Sequence, residues 1–257
     1  MRLGMKGLVD KVFIVCGAGS GIGAASARRL HEEGARVVAA DLNEQGARAL
    51  AEQLDNSGDR CVALQFDQSD ESSIEQLLAQ SIDCFGQLDG LLANAANMQV
   101  LLQDGDLLQN DRNIWEETLR VNLLGTAALF RAALPHLQSR GGTLLATSSD
   151  AASAGEPTRV AYAASKAGIN ALCRHVANRW GKEGIRCNVV SPGFILTDNL
   201  KATVDPAMFD PVLKRTPSSR HGAAEDVAAA VAFLFSDDAE WVNGQVWHVN
   251  GGINQAN

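Results

Sequence analysis

"VFIVCGAGSGIGAAS" (residues 12–26) joins a run of apolar and β-branched residues to four glycines, Gly17, Gly19, Gly21 and Gly23, and then to small residues. The apolar run reads as a strand and the small residues as part of a helix, so the glycines fill the turn between them. Without Cβ atoms, backbone N–H groups at the helix N-terminus can approach an anion, and the helix dipole favours negative charge there. A pyrophosphate fits such a turn; a tight strand-to-helix corner is the bland alternative. The spacing G-x-G-x-x-G is only partly met, because Gly19 and Gly21 are followed by Ala24, whereas Gly17, Gly21 and Gly23 fit G-x-x-x-G-x-G.

Outward from this turn, residues 11–16, 36–41, 61–66, 88–94, 142–148, 185–191 and 244–250 read as strands. Helical stretches lie between most of them: residues 21–34 closed by Gly34, residues 43–58 with Asn43 as N-cap, and a third with Ile74, Leu77, Leu78 and Ile82 at helical spacing. Strands apolar on both faces, alternating with helices, predict an α/β fold. It is a Rossmann-like, doubly wound parallel sheet of about seven strands with helices on both faces. With no linker, repeat or composition shift, residues 1–257 read as one domain. The irregular part is residues 192–221, with prolines at 192, 206, 211 and 217, which reads as a long substrate loop without sustained period. Its Phe194, Leu196, Leu200, Met208, Phe209 and Leu213 suit an apolar cover.

The chain is 46% hydrophobic and 20% charged, with a formal net charge of -8, so nothing draws it to nucleic acid or an anionic membrane. Asp10 and Lys11 interrupt the opening before a signal core can form, and no apolar run reaches the roughly 18 residues of a membrane span, so the expected location is cytoplasmic. Five scattered cysteines and five isolated histidines predict reduced thiols and no protein-held metal.

The second strand ends in Asp41, 24 positions after Gly17. A carboxylate there suits the two hydroxyls of an adenosine ribose and repels a 2′-phosphate, which favours NAD over NADP; neither Leu42 nor Asn43 is basic. A Gly-rich turn with an acidic second strand end also serves S-adenosylmethionine, so the first fifty residues leave a methyltransferase open. The remainder of the chain separates the two. Its single tyrosine, Tyr162, stands four residues before Lys166, about 6 Å apart along one helix face, and Ser149 lies 13 residues before Tyr162 at the end of the fifth strand. Carboxyl ends of strands form the crevice of such folds.

"CGAGSGIG", "ANAA", "VNLLG", "SS" with Ser149, "YAASK" and "SPGFILT" stand in the order and spacing of the short-chain dehydrogenase/reductase family, which the chain resembles from residue 9 to about Gly252. The resemblance implies Tyr162 as acid/base, Lys166 as its activator, Ser149 as the substrate-orienting hydroxyl, and Asn122 holding a water that connects Lys166 to solvent. Gly17, Gly19, Ser20, Gly21, Ile22, Gly23, Asp41 and Leu42 would hold the adenosine and pyrophosphate, with Asp67 and Gln68 near the adenine. Asn94 and Ala95 would lie beside the cofactor in the central sheet, and Pro192, Gly193, Ile195 and Thr197 by the nicotinamide carboxamide. Asp67 has a rival reading as a helix cap near Asp70. The implied activity is hydride transfer between NAD(H) and a secondary alcohol or ketone, with a hydrophobic substrate favoured by residues 96–110, 150–159 and the long loop. Alternatives are an NADP-dependent 3-oxoacyl-type carbonyl reductase and a non-catalytic dinucleotide-binding protein. The family pattern also implies a homotetramer built through residues 111–138, 158–181 and the C-terminal strand. Cys16, where the family commonly has threonine, and Ala93 and Ala96, in place of an Asn and a Gly, depart from the pattern.

Overall fold

The computed structural model describes residues 4–254, apart from the side chains of Thr203 and Met208. Seven strands, β1 (Val12–Cys16), β2 (Arg36–Asp41), β3 (Cys61–Gln65), β4 (Gly90–Ala93), β5 (Gly142–Thr147), β6 (Ile185–Pro192) and β7 (Val246–Val249), form one sheet in the order β3-β2-β1-β4-β5-β6-β7. Every neighbouring pair is parallel, with Val12 opposite Arg36 on one side of β1 and Phe13 opposite Gly90 on the other. Strand order reverses direction between β1 and β4, the place where open α/β sheets leave a crevice at their carboxyl ends.

The burial pattern comes from covering both faces. All five residues of β1 are buried, while each residue of the edge strand β7 is half-buried. On one face, α3 (Glu71–Phe85), α6 (Gly125–Leu137) and α8 (Val160–Trp180) bring Ile74, Leu77, Phe130, Ile169 and Val176 against Ile14, Leu91 and Leu144. On the other, α1 (Gly21–Glu32), α2 (Glu44–Leu54) and α11 (Ala224–Phe235) set Leu30, Leu50, Val227 and Val231 against Val15, Val37 and Leu92. Gly34, at φ 94°, supplies the left-handed residue that ends the first crossover helix. Asn43 accepts from the Gly46 N–H (3.3 Å) and Asp70 from the Ser72 N–H (2.9 Å), so the caps of α2 and α3 fall to these residues rather than to Asp41 or Asp67.

Residues 192–221 are more regular than the sequence suggests. They hold α9 (Asp198–Thr203), a 3-10 turn (Pro206–Met208) and α10 (Phe209–Arg215). Segments of six or seven residues are too short to show a helical period, and Pro206 and Pro211 occupy first-turn positions where a missing N–H costs little. Of the apolar members, Phe194 and Phe209 pack on each other with ring centroids 6.0 Å apart, while the Met208 side chain lies outside the described residues. Short α4 (Met98–Leu101) and α7 (Ala151–Ala154) border the same end of the sheet. A second departure falls in the run 112–137. It is α5 (Arg112–Leu119), then a π-turn at Arg120–Leu124, then α6.

Candidate active site

The glycine turn is shaped by steric need. Gly17 lies at φ 76°, and a Cβ there would meet the Ala95 backbone at 3.0 Å; one on Gly23 would overlap the Gly17 carbonyl oxygen. Larger residues would push the turn apart and away from the strand end that it follows. Ser20, the N-cap residue of α1, makes no side-chain bond to it, and the first turn of Gly21, Ile22 and Gly23 carries no acidic residue, so its N–H groups remain oriented toward a ligand. Asp41 borders the turn. Its Oδ2 accepts from the Gly19 N–H (2.8 Å) and its Oδ1 from the Asn43 N–H (2.8 Å), leaving further lone pairs on both oxygens. Leu42 beside it is 64% exposed. A glycine turn packed too closely for Cβ atoms, a helix N-terminus without a side-chain cap and a carboxylate at its edge together fit a dinucleotide.

Beyond the turn, hydrogen bonds run from the cradle to the lysine. Asn94 Nδ2 donates to the Gly17 carbonyl (3.4 Å), Thr147 Oγ1 donates to Asn94 Oδ1 (3.0 Å), and Lys166 Nζ donates to the Thr147 carbonyl (2.7 Å). Lys166 is 2% exposed, and burial lowers its pKa from 10.5 to about 8. Its Nζ stands 5.6 Å from the centroid of the Tyr162 ring. Ser149 lies close enough to the Tyr162 hydroxyl to lower its pKa, so the three residues singled out in the sequence meet in one place. The phenol pKa is raised by burial, against which Ser149 and the Arg159 charge act downward and Glu156 upward. This corrects one expectation: in the protein alone, desolvation rather than Lys166 sets the direction.

Asn122 sits wholly buried in the π-turn. Both polar atoms of its side chain have partners, Oδ1 accepting from the Asn97 N–H (3.0 Å) and Nδ2 donating to Ser165 Oγ (3.1 Å), while its carbonyl accepts from Thr126 Oγ1 (2.7 Å). Gln68, expected near the adenine, turns its amide inward: Nε2 donates to the carbonyls of Val121 (2.9 Å) and Ala95 (3.3 Å). It thereby satisfies a carbonyl of the π-turn and leaves only its main chain for an adenine. Asp67 accepts from both the N–H and the hydroxyl of Ser69, at 2.8 and 2.7 Å.

The segment after β6 arches over the glycines. Gly193 donates to the Val249 carbonyl (3.1 Å), and a Cβ on it would lie 2.7 Å from that of Asn250. Ile195 is buried and bridges Gly222, while the Thr197 methyl would be 3.4 Å from a Cβ on Gly21. Pro192 ends the strand that delivers this segment. Cys16 is buried at the end of β1, its thiol pushed up by burial and by the Asp41 charge, which makes it unreactive. Among the described residues, no group of three or more His, Cys, Asp or Glu is placed to hold a metal.

Residues 17–254 match the family model described as enoyl-(acyl carrier protein) reductase. The chain belongs to the short-chain dehydrogenase/reductase family. A probable short-chain type dehydrogenase/reductase of Bradyrhizobium diazoefficiens is 43% identical over 95% of the chain and 87% of its own length. A 3-oxoacyl-(acyl-carrier-protein) reductase of Thermotoga maritima is 30% identical over 96% of the chain and 98% of its own length. Among solved structures, a glucose/ribitol dehydrogenase of the same family from Brucella melitensis superposes with a TM-score of 0.90 at 30% identity, covering 98% of this chain and 100% of that one. As a short-chain dehydrogenase/reductase, the chain is an oxidoreductase that uses a nicotinamide dinucleotide with a small-molecule substrate. No described helix is long and apolar enough to cross a membrane.

Proposed function

We propose that the protein transfers a hydride between NAD(H) and a secondary alcohol or its ketone, with Tyr162 as acid/base. The observation that carries this reading is the buried Lys166 held 5.6 Å from the Tyr162 ring, with Ser149 beside the phenol, at the carboxyl ends of the strands. The nicotinamide, when bound, accepts or supplies the hydride. Tyr162 Oη takes the alcohol proton or returns one to the ketone, and Ser149 Oγ holds the substrate oxygen for that exchange. A phenol raised by burial stays protonated, the form from which a proton can pass to the ketone. Removing one requires added positive charge, for which Lys166 stands ready. Lys166, tied through Thr147 and Asn94 to Gly17, relates the proton site to the cofactor cradle. Asn122, buried in the π-turn, would hold a water that connects Lys166 to solvent.

Asp41 supports NAD: with both oxygens already at the cradle, a 2′-phosphate would face a carboxylate without a basic neighbour at Leu42 or Asn43. The Asp67 and Gln68 main chain would line the adenine, with Ala95, Pro192, Gly193, Ile195 and Thr197 closing on the nicotinamide end. A homotetramer in the cytoplasm completes the reading. Leu107, Leu108 and Leu124, at 71%, 96% and 62% exposure, leave apolar surface near α5 and α8 for a second copy to cover. The likeness to the Thermotoga maritima enzyme favours a second reading, an NADP-dependent 3-oxoacyl-type reductase.

A panel of secondary alcohols, cyclohexanol, 2-octanol and threitol among them, assayed with NAD and with NADP by absorbance of the reduced nicotinamide, tests both. Faster turnover with NAD and an alcohol supports the first. Preference for NADPH with a 3-oxoacyl thioester establishes the second. Tyr162→Phe should cut turnover by about 10²–10⁴-fold with NADH binding preserved; undiminished turnover removes the acid/base assignment.

A further inference from the structure

The helix that carries Tyr162 is capped by a remote part of the chain. Its N-cap residue, Arg159, lies at φ 62° and makes no side-chain bond there. Instead, two residues between β4 and α5 take the first four N–H groups. Arg159 and Val160 donate to the carbonyls of Asp104 (3.1 Å) and Gly105 (3.5 Å), and Ala161 and Tyr162 donate to Asp104 Oδ1 (3.2 Å) and Oδ2 (2.7 Å). Asp104 is 5% exposed. Its carboxylate is itself held, because Asn110 Nδ2 donates to Oδ1, while Asn110 Oδ1 accepts from the Gly105 N–H (2.6 Å).

These N–H groups have no partner within a helix, so their acceptor decides where the first turn stands. A carboxylate is favoured at this end of the dipole, and its bonds to N–H groups are charge-assisted. Tyr162 is the residue whose N–H makes the 2.7 Å bond. The main chain of the residue that carries the phenol is thus held by Asp104, while its ring lies beside Ser149 and Lys166.

We infer that Asp104 is a positioning residue for proton transfer, holding the first turn of α8 so that the Tyr162 ring keeps its place beside Lys166 and Ser149. This rests on the proposed role of Tyr162. It adds that the segment between β4 and α5 cannot shift without releasing the main chain of the acid/base, which couples that segment to the chemistry.

Asp104→Ala, Asp104→Asn and Asn110→Ala, each in the full chain, test the inference beside Tyr162→Phe. Hydrogen exchange without substrate is the first readout. Amides 159–162 should exchange faster in Asp104→Ala while those of β1 and β5 keep wild-type rates. Kinetics with the best alcohol of the panel are the second. A displacement of about 1 Å costs up to about 100-fold, so kcat should fall by about that factor in Asp104→Ala, with the KM for NAD within about twofold. Asp104→Asn, which keeps one acceptor oxygen, should recover part of the loss. The acid-side limb of alcohol oxidation, on which the rate rises as the phenol loses its proton, should move to higher pH, since a phenol displaced from Ser149 loses an interaction that lowers its pKa; a merely structural residue would leave that limb in place. Should Asp104→Ala fail to fold, Asn110→Ala must show the same changes at smaller size. Wild-type exchange at 159–162, or unchanged kcat and pH limb in the folded variants, overturns the inference. Undiminished turnover in Tyr162→Phe sinks the acid/base reading instead, while the exchange data still report whether Asp104 holds the turn.

Discussion

The two ends of the sheet contrast in how their polar groups are used. At the amino ends of the strands lies an open groove of about 1050 Å³, lined by Lys11, Asp89, Arg186, Asp237 and Trp241 among others. Its central charges are satisfied within the protein. Lys11 pairs with Asp89 at 3.0 Å, Asp89 also accepts from the Val12 N–H (2.9 Å), and Arg186 donates to the carbonyls of Ser236 and Val242. The carboxyl ends differ. There a buried lysine gives its amine to a carbonyl rather than to a carboxylate, a phenol has been desolvated, and the N–H groups of α1 look outward. The proposed chemistry falls to the groups left in tension with their surroundings. Paired charges hold a fold; an unneutralised one at a crevice is available for work.

The contrast breaks if substitutions at the two ends have the same phenotype. Lys166→Met should lower turnover by about 10²–10⁴-fold and, unlike most buried substitutions, strengthen the fold. Because the folded pKa of about 8 lies below the ordinary 10.5, burial of the charged lysine costs stability in full below pH 8, and the cost lifts as pH rises toward 10.5. The variant should therefore gain up to about 3 kcal/mol at pH 7, and the gain should vanish near pH 10.5; urea titrations at both pH values measure it. Asp89→Ala should do the opposite, losing about 2–3 kcal/mol with kcat unchanged, because the Val12 N–H loses its acceptor. Asp41→Ser should shift the NADP-to-NAD ratio of kcat/KM upward by about tenfold or more, corresponding to about 1.4 kcal/mol. Trp241→Ala sharpens the contrast from below. At 99% exposure, the side chain should change stability by less than about 0.5 kcal/mol and leave turnover alone, as a melt and a rate would show.

Much of the fold is legible in the sequence because β1 and the glycine turn obey local rules. An apolar strand buried on both faces and a turn intolerant of Cβ atoms leave marks that need no knowledge of distant residues. Tyr162, Ser149 and Lys166 are legible through the family resemblance, to which the i+4 spacing and the strand end add only local support. The hidden features depend on contacts between remote segments. The π-turn around Asn122 is supported by Gln68, whose amide reaches Val121 from 53 positions away, and by Gly125, where a Cβ would overlap the Gln68 carbonyl. A helical period cannot report that. Asp104, likewise, reads as one acidic residue in a polar stretch until the fold brings α8 to it. The direction of the phenol's shift is hidden as well, because spacing reveals a nearby charge but not how much water the ring loses.

Thr147 gives its carbonyl to Lys166 and its hydroxyl to Asn94, so a single rung of β5 braces both halves of the crevice. None of that bracing passes through residues 198–215. An engineer seeking a new alcohol could therefore rewrite the short helices after Thr197 wholesale, as one changes the jaws of a wrench, and expect the handle to keep its shape.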